Sequence, residues 1–198
     1  MFIDPTLNPD GRDRHSQWAN QYKSINLVAD SNDAEHNESW PRGRTNHYWF
    51  DLNRDWLLAI HPESRGKLNW LHEWYPNVVL DVHEMGTNSN YFFDPMKASA
   101  SVKPLIPQEN VDLYPIFAKY YVKYMDSIGS FYYSKESFDE TYPGYGSTYS
   151  DLQGGLALLF EQASSRGHVQ ETNYGEMTFG FTIRNQFLNG IATVEAAV

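Results

Sequence analysis

The stretch Asn77-Val78-Val79-Leu80-Asp81-Val82-His83-Glu84-Met85-Gly86 decides the fold of this chain. From Val78 to Val82 it is aliphatic apart from Asp81, so it reads as a buried strand with His83 at its C-terminal edge. In open α/β sheets that edge is where ligands and metals are held. His83 therefore stands where a catalytic ligand would stand. A metal needs about three protein ligands, and no other histidine is spaced to join it.

Working outward, a helix is expected from Pro62 to Tyr75, with Leu68, Leu71 and Trp74 on one face and Pro76 ending it. Residues 87–113 contain Pro95, Pro104 and Pro107 and read as an excursion over the surface. Pro115 then suits the first turn of a second helix that buries Ile116, Tyr120, Tyr124 and Ile128. The segment DETYPGYGSTYS (139–150) reads as a Gly- and Tyr-rich loop. Leu156 to Phe160 is a continuous apolar run ending in Glu161, which suits a strand covered on both faces. A last helix from Thr178 to Ala197 is expected to bury Phe179, Ile183, Phe187, Ile191 and Val194. At the other end, Phe2 and Ile3 read as the end of a strand and Asn8-Pro9-Asp10-Gly11 as a turn. Residues 12–50 are polar and read as a long loop region with short helical pieces, which is more often functional than idle. Alternating helix and strand make the class α/β.

Composition narrows the function. The 198 residues are enough for one well-buried domain. Aromatic side chains make up 16% of them, enough to fill a core and line a cleft. A net charge of −10 speaks against a nucleic-acid partner, which calls for clustered Lys and Arg. Cysteine is absent, which removes thiolate nucleophiles, thiolate zinc ligands and disulfides. No apolar stretch approaches the roughly 20 residues of a membrane span, and no signal peptide is visible.

Two strands thus end in residues with catalytic chemistry, His83 and Glu161. A carboxylate beside a metal-bound water can act as general base, because the metal lowers the pKa of that water. Taken singly, each is more often a structural residue. Asn53-Arg54, after the short run Tyr48 to Phe50, adds a guanidinium that can grip a carboxylate with two parallel hydrogen bonds, and an amide donor. The plainer alternative is an Arg54 paired with Asp51 or Asp55.

In order, Asn8-Pro9-Asp10-Gly11, Asp51-Leu52-Asn53-Arg54, Asp81-Val82-His83 and Phe160-Glu161 with Arg166-Gly167 behind it resemble the motifs of the zinc carboxypeptidases, the funnel-type metallocarboxypeptidases. The likeness runs from about residue 3 to 195 and corresponds to the C-terminal two-thirds of that domain. It implies an α/β fold with a mixed, mainly parallel sheet flanked by helices, without the family's N-terminal strands, so that residues 1–198 form a single, partial catalytic domain. It also implies that His83 is the third zinc ligand, that Asn53 and Arg54 bind the substrate's terminal carboxylate, and that Glu161 is the general base and acid. A tyrosine of the preceding loop would contact substrate; Tyr142 is the first choice and Tyr145 the second. The arginine that polarises the scissile carbonyl could be Arg12, Arg14 or Arg44.

The family's first two zinc ligands lie in a His-x-x-Glu motif before the Asn-Pro-Asp-Gly motif. Here seven residues precede Asn8 and none is His. The chain's His168-x-x-Glu171 follows Glu161 and is expected to be a chance match, and His36, His47, His61 and His72 have no ligand spacing. The expected substrate is a peptide or acyl-amino acid with a free C-terminal carboxylate, hydrolysed with zinc in the intact protein and not by this chain alone. A peptide- or cell-wall-binding relative without catalysis and a zinc-dependent deacylase or amidase are the alternatives. The resemblance favours a secreted or periplasmic location. Missing strands would leave a sheet edge open to self-association.

Overall fold

The aliphatic run becomes strand β1 (Val78–Met85), which continues two residues beyond His83. The structure, a computed structural model, describes residues 1–97 and 105–198; Pro104 of the expected surface excursion lies outside the described residues. β1 pairs in parallel with β4 (Leu156–Ala163), placing Val78 opposite Leu156 and His83 opposite Glu161. β2 (Tyr91–Phe93) runs antiparallel to β4 and parallel to β3 (Tyr132–Tyr133), so the sheet order is β1-β4-β2-β3. This is the α/β class with a mixed, mainly parallel sheet. A separate hairpin joins β5 (Val169–Thr172) to β6 (Gly175–Thr178).

β4 is the inner strand that its unbroken apolar run requires, buried from Leu156 to Phe160. β1 is not covered in the same way. It is an edge strand, no described strand pairs with its outer side, and Val82 is 53% exposed. An apolar run shows that burial is favourable, but it does not supply the neighbour that provides it. The expected surface excursion after β1 is also corrected, since Tyr91, Phe92 and Phe93 lie in the interior. Tyr91, Phe93, Leu158 and Phe160 pack against Phe117, Tyr121 and Met125 of helix α3 (Gln108–Ser127) and Ala192 of α5 (Phe179–Ala196). Elsewhere Val79 meets Leu68 and Leu71 of α2 (Pro62–Trp74), with Trp56 and Tyr149.

Several helical expectations shift. Asn8-Pro9-Asp10-Gly11 starts a helix rather than making a turn: α1 spans Pro9–Tyr22, Asn8 Oδ1 accepts from Gly11 N at 3.0 Å, and proline suits the first helical position. Phe2 belongs to no strand; its ring stacks on Trp74 at 4.4 Å and meets Trp70 at 5.6 Å. Helix α3 begins before Pro115, which is interior, and buries Tyr114, Phe117, Tyr121 and Met125, a face rotated from the expected one. Its apolar arc is broad, so Tyr120, Tyr124 and Ile128 remain partly buried beside it. Residues 146–150 of the expected loop belong instead to the short helix α4 (Gly146–Leu152).

Helix α5 inverts its expected orientation. Thr182, Asn185, Asn189, Ala192 and Thr193 face inward, while Phe179, Ile183, Phe187, Ile191 and Val194 face out, each at least 39% exposed. Asn185 is anchored by hydrogen bonds: its Nδ2 donates to Gln162 Oε1 at 2.9 Å and to Ser130 Oγ at 3.0 Å. Periodicity locates two faces, and hydrogen-bond partners elsewhere in the chain decide which is buried. Asn185→Ala is therefore expected to lower unfolding stability by about 1–3 kcal/mol, and Phe187→Ser by less than about 0.5 kcal/mol. Urea denaturation of the two variants checks the orientation, and the reverse ranking would place the phenylalanine stripe inside.

Candidate active site

Adjacent residues of a parallel pair share a sheet face, as do residues two apart on one strand. The β1–β4 register therefore sets Asp81, His83 and Glu161 on one face. Glu161 Oε2 is buried and has no hydrogen-bond partner among the described residues. Burial raises the Glu161 pKa to about 7; His83 and Arg44 pull it down, and Asp81 and Glu84 push it up. His83 Nε2 lies 2.8 Å from Asp81 Oδ1. Burial alone would lower the histidine, but attraction to and hydrogen bonding with Asp81, joined by Glu161, leave its pKa above the ordinary value. Asp81 is also buried; desolvation opposes its charge, but His83 and Lys67 hold its pKa below the usual range.

Asn53 reaches this cluster from a 3₁₀ turn, Leu52–Arg54, started by Asp51, whose Oδ1 accepts from Asn53 N at 2.9 Å. Asn53 Oδ1 accepts from Gly146 N at 2.8 Å, and its Nδ2 lies 2.9 Å from His83 Nε2. Gly146 is required by close approach, because a Cβ there would come within 2.6 Å of Asp81 Oδ2. Arg54 lies over the Tyr145 ring, 4.5 Å from its centroid, and Nη1 donates to Asn53 O. Of the two neighbouring acids, Asp51 makes a long ion pair with it and Asp55 is engaged elsewhere. Asp51 Oδ2 takes Nε and Nη2 of Arg44, each at 3.0 Å, and stands 3.8 Å from Arg54; Asp55 accepts from Ile60 N and His61 N. Tyr142 donates to Arg54 O at 3.0 Å and packs edge-on against Tyr145.

The structure thus gathers Asn53, Arg54, His83, Tyr142, Tyr145 and Glu161 around the end of β1 and β4. Of the three candidate arginines, Arg12 pairs with Asp13 at the surface and Arg14 donates to the carbonyls of Arg42, Thr45 and Asn46. Arg44 is the one whose charge acts on His83, Asp81 and Glu161. The other histidines are engaged elsewhere: His168 Nδ1 with Glu35 at 2.6 Å, His36 with backbone carbonyls, His61 with Asn46 and His72 with Tyr149. His47 is exposed, 4.0 Å from Asp10.

Two members of the neighbourhood escaped the sequence reading. Asp81 entered only as an interruption of an apolar run and as a member of the Asp81-Val82-His83 motif, with no role given, although its position two before His83 places it on the same strand face. Lys67, given no role in the sequence, lies 3.5 Å from the centre of the Trp56 ring, and burial lowers its pKa to about 8 against the attraction of Asp81 and Asp55.

Zinc can be tested against this donor set. His83 is oriented as a ligand would be, with Asp81 on Nε2 and no hydrogen bond to Nδ1 among the described residues. The set as a whole does not fit. Among the described residues no group of three His, Cys, Asp or Glu side chains is arranged to hold a metal ion. No described helix is long and apolar enough to cross a membrane.

No family model matches the chain, and no curated protein matches it either. Its fold is similar to the crystal structure of a protein from Burkholderia mallei ATCC 23344 assigned as a carboxypeptidase, with a TM-score of 0.55 and 16% sequence identity. The alignment covers 78% of this chain and 39% of that one, so the chain spans about two-fifths of the structure it matches. At that identity the likeness is one of fold: the chain has a carboxypeptidase-like α/β architecture.

Proposed function

We propose that this chain carries the carboxylate-binding and proton-transfer half of a zinc carboxypeptidase-like hydrolase, acting on peptides or acyl-amino acids with a free C-terminal carboxylate. The observation that carries the reading is the in-register pair His83 and Glu161, joined through Asn53 to an arginine whose carboxylate partner, Asp51, stands at 3.8 Å and is held more closely by Arg44. Arg54 offers a planar fork that takes a carboxylate with two parallel hydrogen bonds. Tyr145 supports that fork from one side, and Tyr142 ties its own loop to the Arg54 backbone. Glu161, with a pKa near neutrality, is suited both to take a proton from water and to return it to a leaving amine. Arg44 stands as the further positive charge on this face.

The metal belongs to the fuller assembly. These residues supply one of the about three protein ligands that zinc requires, so hydrolysis needs two more from outside them. Binding and proton transfer are the roles this chain holds by itself. The missing ligands favour, as a second reading for the chain alone, a module that binds such carboxylates without turning them over.

Calorimetric titration with an N-acetylated dipeptide and with its C-terminal amide tests the reading. The free acid is expected to bind, while the amide or the Arg54→Ala variant loses about 10- to 100-fold in affinity, the worth of a charge-assisted hydrogen-bond pair. Equal affinity for acid and amide would overturn it.

A further inference from the structure

Three carboxyl side chains, Asp94, Glu140 and Asp151, are buried together near the hydroxyl of Tyr114. Tyr114 Oη lies 2.8 Å from Asp151 Oδ2 and 3.1 and 3.2 Å from the two oxygens of Glu140. A phenol has one proton to donate, and two carboxyl groups face it. Asp151 has the donors of an ionised carboxylate, since its Oδ1 also accepts from Asn110 Nδ2 at 2.6 Å and Ala157 N at 2.8 Å. Glu140 has no donor other than Tyr114 among the described residues, and a buried carboxylate so placed would be an uncompensated charge. The network closes when Glu140 is a carboxylic acid that donates to Tyr114 Oη while Tyr114 donates to Asp151. Asp94 adds to the pressure, with Oδ2 accepting from Leu159 N at 2.5 Å and Oδ1 buried without a partner among the described residues.

Glu140 lies in the segment that carries Tyr142 and Tyr145. The far end of that segment is tied to the candidate site: Tyr142 donates to Arg54 O, Gly144 O accepts from Trp56 N, and Gly146 N donates to Asn53 Oδ1. We propose that Glu140 is a positioning residue: its acid hydrogen bond to Tyr114 latches residues 139–145 to the core, and loss of that proton to water frees the segment and its two tyrosines. Burial lifts the Glu140 pKa to about 9; Asp94, Asp151 and the adjacent Asp139 push the same way, and only the Tyr114 hydrogen bond pulls it back. Those are the charged and titratable groups that face it, from the turn after β2, from α4, from its own segment and from α3. Once ionised, Glu140 and Asp151 compete for one hydroxyl proton, and turning Glu140 into solvent relieves the buried charge. The latch rests on this cluster alone; its bearing on substrate rests on the reading of Arg54 given above.

The chain has no cysteine, so Thr141→Cys gives a single site for a nitroxide spin label in the segment. In the otherwise unaltered protein the mobile-to-immobile ratio of the label is expected to rise at least about tenfold between about pH 6 and about pH 10. With E140Q added, the amide donates to Tyr114 at any pH and the label stays immobile throughout. With E140A added, the label is mobile at both ends. A label in the E140Q background that loosens with pH as in the parent overturns the latch. So does a parent label that never loosens, or one that loosens only together with loss of the far-UV circular dichroism. Failure of Arg54→Ala to alter carboxylate binding would overturn the reading of the site and leave the label untouched.

Discussion

Stability is expected to be greatest near about pH 4 and to fall by several kcal/mol by about pH 9, the reverse of the common loss toward acid. Four buried carboxyl groups drive it. Burial raises Asp94 to about 8, Glu140 to about 9, Asp151 to about 6 and Glu161 to about 7. For each, the unfolded chain releases its proton near the ordinary carboxyl value, while the folded protein still holds it. The folded state therefore binds more protons between the two values, and each group's contribution, complete below the unfolded pKa, is lost as pH rises through the folded one. For Glu161 alone the difference corresponds to about 3 kcal/mol. His83, whose folded pKa is also raised, acts in the same direction as pH climbs past its ordinary value. Asp55 and Asp81, held below the usual range, oppose only at the acid end, where their contributions are lost as pH falls. Urea unfolding at about pH 5, 7 and 9 checks the slope, and Glu161→Gln or Glu140→Gln should flatten it. A maximum near pH 8 with loss toward acid would contradict the burial of these groups.

Phe160→Ala is expected to cost about 3–5 kcal/mol, a large share of the roughly 5–15 kcal/mol that holds a domain folded. Phe160 is fully buried on the inner strand, with the Tyr121 ring edge-on at 5.0 Å and the Tyr91 ring at 5.8 Å. Removing the ring leaves a cavity between sheet and helix that aromatic neighbours from β2 and α3 cannot fill without leaving their own contacts. Val82→Ala, half exposed on the edge strand beside it, should cost less than about 1 kcal/mol. Thermal melts of the two variants at one pH separate inner strand from edge strand, and comparable losses would refute the order β1-β4-β2-β3. Because Phe160 immediately precedes Glu161, the same loss should also disturb the carboxylate of the candidate site.

The elements most legible in the sequence were those whose type follows from a local apolar pattern. The runs ending in His83 and Glu161 became paired strands, and α2 ends one residue from its expected limit. Long-range partners decided the rest. Tyr91-Phe92-Phe93 is too short to show a period, and its burial comes from β4 and β3 on either side. The stripe of α5 looked like a core face, but Asn185 finds Gln162 and Ser130, and the helix turns accordingly. Within the candidate site, His83, Glu161, Asn53 and Arg54 were singled out by their order along the chain. Asp81 carried no role of its own beside His83, and Glu140 lay in a Gly- and Tyr-rich loop. Neither role is local, since each depends on a side chain that another element delivers.

The most direct measurement of the account is a ¹³C NMR titration of the Glu161 carboxyl carbon, with and without a saturating N-acyl amino acid. The expected midpoint is near about 7 in the free protein, moving upward when a second carboxylate is held at Arg54. A midpoint near about 4.5 that ignores the ligand would contradict it, leaving Glu161 a solvated strand end and Arg54 a surface charge.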